Sequence, residues 1–159
     1  MTEFTPQDPD FEARTRASFA RQTFMATLGA QMSAVRSGYV EIVMAYNDQL
    51  TQQHGYMHGV ALAGIADSAA GYAAFTLMAP DESPLSVEYK VNMLRPGAGE
   101  RFIARANVIK AGRTLSVVQA NVFAVDADGN EKLLQTMLQT MIALAGKSDR
   151  VEFNPAGAS

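Results

Sequence analysis

The sequence contains no cysteine. That absence excludes disulfides, thiolate catalysis and cysteine-ligated zinc, and it agrees with an expected cytoplasmic location. Charge of one sign is not in excess either: 13 Lys and Arg stand against 16 Asp and Glu, a formal net charge of −3. Nothing in that balance draws in nucleic acid or an anionic membrane, so neither is expected as a partner. The first ten residues, with Pro6 and Pro9, are polar and acidic and lack the basic and apolar regions of a secretory signal. A G-x-S-x-G elbow, a P-loop and a G-x-G-x-x-G fingerprint are all missing, which removes the common nucleotide-binding loops. Histidine is scarce. His54 and His58 lie four apart in a segment that reads as a loop, with no third ligand at a typical interval, so no metal site is expected.

What is present is enough for one folded domain: 159 residues, 48% hydrophobic and 18% charged. Residues 1–10 read as a loose arm, and Pro9-Asp10 start a helix running to Thr27 with Phe11, Phe19, Phe24 and Leu28 as core contacts. Val40, Ile42 and Met44 alternate behind a Ser37-Gly38 turn, the pattern of a hairpin or one long bent strand. Four strands are predicted after Pro80, over 85–94, 101–109, 114–125 and 132–144. The Asp126–Asn130 run between the last two is a hairpin signal, not a calcium loop. The organisation is an arm and helix over 1–28, a main domain over 29–145 and a flexible tail over 146–159. Strands in succession around one helix predict an α+β fold, an antiparallel sheet curled about a central α-helix.

That helix, His58 to Met78, carries a single formal charge, Asp67, among seven alanines and three glycines. A central Asp costs about 2.5–3.5 kcal/mol on insertion scales and alanine offsets little, so a membrane span is rejected. A helix apolar all round is a core helix wrapped by a sheet or pressed against a twin. A carboxylate inside it needs a partner or a purpose. Its own helix face offers Ala63, Gly64, Ala70 and Gly71, none of which is a donor. Asp67 is therefore a proton-handling group or a structural carboxylate bonded to a neighbouring strand. At the helix start, the Gly59 amide is free to polarise a carbonyl oxygen, while His58 either shapes that turn or caps the helix. Asp67 lies nine residues past His58, roughly 13–14 Å at ~1.5 Å per residue. One helix cannot bring both groups to one carbonyl, whereas two antiparallel copies can. The spacing predicts a two-fold homodimer with sites at the interface.

The run Gln52-Gln53-His54-Gly55-Tyr56-Met57-His58-Gly59, followed by Leu62, Ala66-Asp67-Ser68-Ala69 and Gly71-Tyr72-Ala73, resembles the PaaI-type hotdog thioesterases. Their signature is a His-Gly-Gly followed by a helix bearing a Leu/Ala-Asp pair. The resemblance continues through Ser86–Tyr89, Asn92–Gly97 and Gly112-Arg113-Thr114, covering roughly residues 30–145. It implies the hotdog fold and hydrolysis of acyl-CoA with no metal or other cofactor, by homotetramers built as dimers of dimers. Carried over by residue, Asp67 is the nucleophile or general base and the Gly59 amide polarises the thioester carbonyl, with His58 shaping its turn. Gln52 orients the reacting groups from a position where the family commonly has Asn, and Ser86 lies near the attacking water. Val60 replaces the second glycine of the signature. Arg95 and Arg113 are the candidate contacts for the CoA phosphates. Tyr56, Met57, Phe75 and Met78 are either acyl-pocket or core residues. The competing readings are a 3-hydroxyacyl-thioester dehydratase or hydratase, and a non-catalytic acyl-CoA-binding domain.

Overall fold

The computed structural model describes residues 4–147 and 149. Ten elements follow one another: α1 (Phe11–Phe19), α2 (Thr23–Thr27), β1 (Gln31–Arg36), β2 (Tyr39–Ala45), a 3-10 turn (Asp48–Leu50), α3 (Gly59–Phe75), β3 (Ser83–Met93), β4 (Arg101–Ala111), β5 (Leu115–Val125) and β6 (Glu131–Leu144). All strands pair antiparallel in one sheet of order β1-β2-β4-β5-β6-β3. The sheet curls around α3, the α+β arrangement that the sequence pattern predicts and the hotdog arrangement that the resemblance implies.

Small side chains make the wrap possible. Twelve of the 17 residues of α3 are buried, seven of them alanine. They meet Ala104 and Ala106 of β4 and Ala120 and Ala124 of β5, each at most 3% exposed. Close approach of helix and sheet lets Ile42, Phe102, Met137 and Met141 fill the space at the margins. Among the described residues no helix is long and apolar enough to cross a membrane.

Residues 37–38 form a turn, so the β1–β2 region is a hairpin and not one bent strand. Gly38 adopts φ +70°, and its N–H donates to Thr76 Oγ1 at 2.8 Å, fastening the hairpin to the end of α3.

The N-terminal prediction needs correcting twice. Residues 4–10 are not loose: Asp8 is buried, Ser37 Oγ donates to the Phe4 carbonyl at 2.7 Å, and Gln7 Nε2 donates to the Leu77 carbonyl at 3.0 Å. The single predicted helix is broken at Gln22, whose backbone is extended. Thr15 and Leu28 explain the break, since both are buried. On one continuous helix, 13 residues apart, they would face about 140° away from each other. After the break Met25 enters the core while Phe24 stays 54% exposed, so Phe24 is not the core contact expected of it. The predicted tail over 146–159 falls mostly outside the described residues.

At the far end of α3, Arg14 acts as a cap. Its guanidinium donates to the carbonyls of Ala79 (2.6 Å), Met78 (2.7 Å) and Phe75 (3.3 Å) and lies 4.3 Å from the Phe75 ring centre. A cation there complements the negative end of the helix dipole. Its Nε faces Asp8 Oδ2 at 3.0 Å, an ion-pair contact outside hydrogen-bond alignment.

Candidate active site

Helix α3 leaves one stripe uncovered by the sheet: Val60, Gly64, Asp67 and Gly71, spaced four, three and four apart. Asp67 is therefore half-buried and opens onto a cleft of about 410 Å³ lined also by Tyr72, Pro84, Leu85, Ser86 and Met141. That volume suits a small-molecule site.

The partners that α3 itself cannot offer come from two strands. Ser86 of β3 donates its hydroxyl to Asp67 Oδ1 at 3.0 Å. Gln139 of β6 donates its Nε2 to the same oxygen and, at 2.9 Å, to Ser86 Oγ. The three groups close a ring with consistent donors, since Gln139 uses both amide hydrogens and Ser86 passes its own to the carboxylate. No described hydrogen bond reaches Oδ2, and no described ion pair includes Asp67. One oxygen anchors the carboxylate and the other stays free to accept a proton. Ser86 owes its place to a bulge: it pairs with Met141, Glu88 pairs with Thr140, and Val87 is the extra residue between them.

At the helix start, His58 is the N-cap. Its Nδ1 accepts the Val60 N–H at 3.1 Å, and its carbonyl accepts those of Ala61 (3.0 Å) and Leu62 (3.3 Å). Of the two roles open to His58, the structure shows the cap. The Gly59 N–H has no acceptor among the described residues. It is the one first-turn donor left available. A Cβ at Gly59 would meet Met93 Sδ at 2.8 Å, so glycine makes room for the exposed Met93 side chain beside the helix start.

The predicted residues divide into groups. Asp67 and Ser86 are in contact. His58 and Gly59 sit eight or nine residues away along α3, about 12–14 Å from Asp67. Gln52 belongs to the preceding loop, where its Oε1 accepts from His54 Nδ1 at 3.0 Å and not from any group near Asp67. Tyr56 is 41% exposed on that loop. Met57 departs from the substrate-binding expectation: it is 2% exposed, pinned between Thr51 and Gly97, because its N–H donates to the Gly97 carbonyl at 2.9 Å. Phe75 and Met78 are likewise core residues. Arg95 is exposed, with Nη1 on the Leu133 carbonyl at 2.8 Å, and Arg113 is exposed at the β4–β5 turn. Neither approaches Asp67 through a described contact.

Gln139 and its neighbour Gln135 escaped the sequence reading. A signal existed in the run Gln135-Thr-Met137-Leu-Gln139-Thr-Met141, where strand alternation puts both glutamines and both methionines on one face. Leu138 and Ile142 on the other face made the inward side ambiguous.

Comparison with known proteins shows the family and the fold. The family pattern described as the thioesterase superfamily matches residues 54–129, from the loop before α3 to the β5–β6 turn. A thioesterase family protein of Silicibacter pomeroyi of known structure is 48% identical, with a TM-score of 0.83 over 86% of this chain and 99% of that one. A 1,4-dihydroxy-2-naphthoyl-CoA hydrolase of Listeria monocytogenes is 27% identical over 108 residues, 68% of this chain and 85% of that one. The E. coli PaaI protein, 20% identical, shares the fold with a TM-score of 0.77 over 89% of this chain and 99% of that one. With its central helix, its six-stranded wrap and this match over nearly the whole length of a 48% identical relative, the chain belongs to the thioesterase superfamily, a family of hydrolases, and has the PaaI-like hotdog fold.

Proposed function

We propose that this protein hydrolyses acyl-CoA thioesters to the free acid and CoA, in a homodimer whose two sites each combine Asp67 of one protomer with Gly59 of the other. The observation that carries the reading is the division of labour along α3. A half-exposed carboxylate with one anchored and one free oxygen lies about 12 Å from an unpaired helix N-terminal amide. Both are parts of an acyl-transfer site, and one chain alone cannot apply them to one carbonyl. The end strand β3 supports the pairing. Leu85, Val87, Tyr89 and Met93 are each 49–57% exposed beside the open stripe of α3, a surface that a second copy would cover. The assembly proposed is a dimer of such dimers.

In the reaction the Gly59 N–H and the positive end of α3 hold the thioester oxygen as it gains charge. Asp67 Oδ2 attacks the carbonyl carbon itself, or takes a proton from the water that does. The CoA thiolate leaves and takes up a proton; on the direct route it leaves an acyl–Asp67 anhydride that water then hydrolyses. By either route the free acid is released and Asp67 returns to the carboxylate. The Ser86 hydroxyl keeps the carboxylate in line and lies beside the attacking water. Gln52 and His58 shape the loop that presents Gly59, and Tyr56 flanks it. Arg95 and Arg113 contact the CoA phosphates. CoA is part of the substrate, and the chemistry uses no metal or further cofactor. The Listeria relative's name includes a CoA thioester, which supports this substrate class.

The test is thiol release from a panel of aryl-, short- and medium-chain acyl-CoA esters, with Asp67→Asn as control. Turnover should drop by about 100- to 10,000-fold in the variant, the range for loss of a general base. Absence of thiol release across the panel, or near-normal kcat in Asp67→Asn, would overturn the reading.

A further inference from the structure

Strand β6 turns two glutamines toward α3: Gln135, 2% exposed, and Gln139, 0% exposed, with Met137 between them on the same face. Each sends its amide into α3 at a functional position. Gln135 Nε2 donates to the Gly59 carbonyl at 2.9 Å, and Gln139 Nε2 donates to Asp67 Oδ1 and Ser86 Oγ. Each also leaves its Oε1 buried with no hydrogen-bond partner. An unpaired buried amide oxygen costs stability, and folded interiors contain few of them. Methionine, which β6 carries on this same face at 137 and 141, would occupy similar volume without that cost. The glutamines thus weaken the core locally and aim two donors at the two reacting ends of the helix.

The lengths agree with this. Four residues of strand span about 13 Å, and the eight residues of helix from Gly59 to Asp67 span about 12 Å. Alternate inward positions on β6 therefore meet α3 at its amide end and at its carboxylate. We propose that Gln139 is a positioning residue for Asp67 and Gln135 for Gly59, each amide fixing the orientation of the group it meets. The proposal rests on the shared-site hydrolysis reading, in which each protomer lends its Gly59 to one site and its Asp67 to the other. Each glutamine then orients the half-site that its own protomer lends. Gln139 and Ser86 together occupy Oδ1 and keep Oδ2 toward the cleft. Without Gln139 the carboxylate turns about its Cβ–Cγ bond, and the free oxygen is presented only part of the time.

The experiment uses the full-length protein and its Gln139→Met and Gln135→Met variants. It measures steady-state hydrolysis of a thioester the wild type turns over, thermal midpoints, and side-chain amide NMR signals. Gln139→Met should lose about 10- to 100-fold in kcat, the worth of a hydrogen bond to a charged group, with KM within about twofold and no fall in Tm. Gln135→Met should lose a smaller, several-fold share, again at unchanged Tm. In the wild type the Gln139 amide protons should exchange slowly and shift in Asp67→Asn, while those of Gln135 stay in place. Unchanged kcat in Gln139→Met overturns the proposal, as does a loss of activity that merely tracks a loss of folded protein. Gln139 amide signals indifferent to Asp67→Asn overturn it too. If the wild type hydrolyses no thioester, the functional reading falls, and the amide signals decide the positioning contact independently.

Discussion

Replacing Arg14 by alanine tests whether the N-terminal segment holds the site helix in place. Arg14 and Asp8 are 15% and 8% exposed as side chains, so their contact is largely desolvated. The substitution takes the guanidinium donor from three carbonyls at and just beyond the end of α3, those of Ala79 (2.6 Å), Met78 (2.7 Å) and Phe75 (3.3 Å), of which Phe75 and Ala79 keep a backbone donor. It also removes the cation from the Phe75 ring and leaves the buried Asp8 carboxylate without its counter-charge, with the Asp10 N–H at 2.9 Å as its remaining donor. Removing one partner of a buried pair costs about 3–5 kcal/mol, most of it from the charge left behind. At roughly 2–4 °C per kcal/mol for a domain of this size, the midpoint should fall by about 6–20 °C. Differential scanning calorimetry at neutral pH reads this directly. Adding Asp8→Asn should recover part of the loss, since the stranded charge is then gone. Arg14 touches neither Asp67 nor Gly59, so kcat per folded molecule should stay near wild type below the melting range. A midpoint lowered by less than about 3 °C, or single-variant losses that simply add in the double variant, would refute the clamp.

Two further perturbations follow from the same contacts. Gly97→Ala would set a Cβ 2.7 Å from the Met57 carbonyl and 3.0 Å from Met57 Cβ, and backbone cannot swing aside as a side-chain tip does. It should cost on the order of 2–3 kcal/mol in urea unfolding and disturb the loop that presents Gly59; a cost under about 0.5 kcal/mol would show the bridge to be slack. The outer face of the sheet predicts an acid response. Burial works to raise the Glu41 carboxyl, but hydrogen bonds from Arg105 and Ser33 outweigh it and hold it below its ordinary 4.5. Arg105 likewise lowers Glu131, through contacts of 2.6 and 2.7 Å. Depressed carboxyls stabilise the fold above pH 4.5 and lose that contribution as pH falls below it. In Arg105→Met the drop in Tm between pH 5 and pH 3 should therefore shrink, and an identical pH profile would contradict the assignment.

Local chemistry made much of this molecule readable from its residues. α3 stood out because alanine, glycine and one Asp give a helix no polar face, the mark of a core helix wrapped by a sheet or pressed against a twin. The later strands were marked by alternation and by turns such as Asp126–Asn130, where Asp126 Oδ1 accepts from the backbone of Asp128 and Asn130. Helix geometry and a count of residues marked Asp67 as the lone charge of α3 and Gly59 as its amide end, while the reacting role expected of Asp67 came from the family resemblance. What tertiary structure alone decided lies at long sequence separation. β3 joins the sheet beside β6 and not beside β4, and that pairing delivers Ser86 and Gln139 to the carboxylate from 19 and 72 residues away. Arg14 reaches the end of α3 across 65 residues. Periodicity shows which face of an element is apolar, but not which neighbour that face meets. A polar side chain such as Gln139, pointing inward between two methionines, acquires its role only when packing places a carboxylate opposite it.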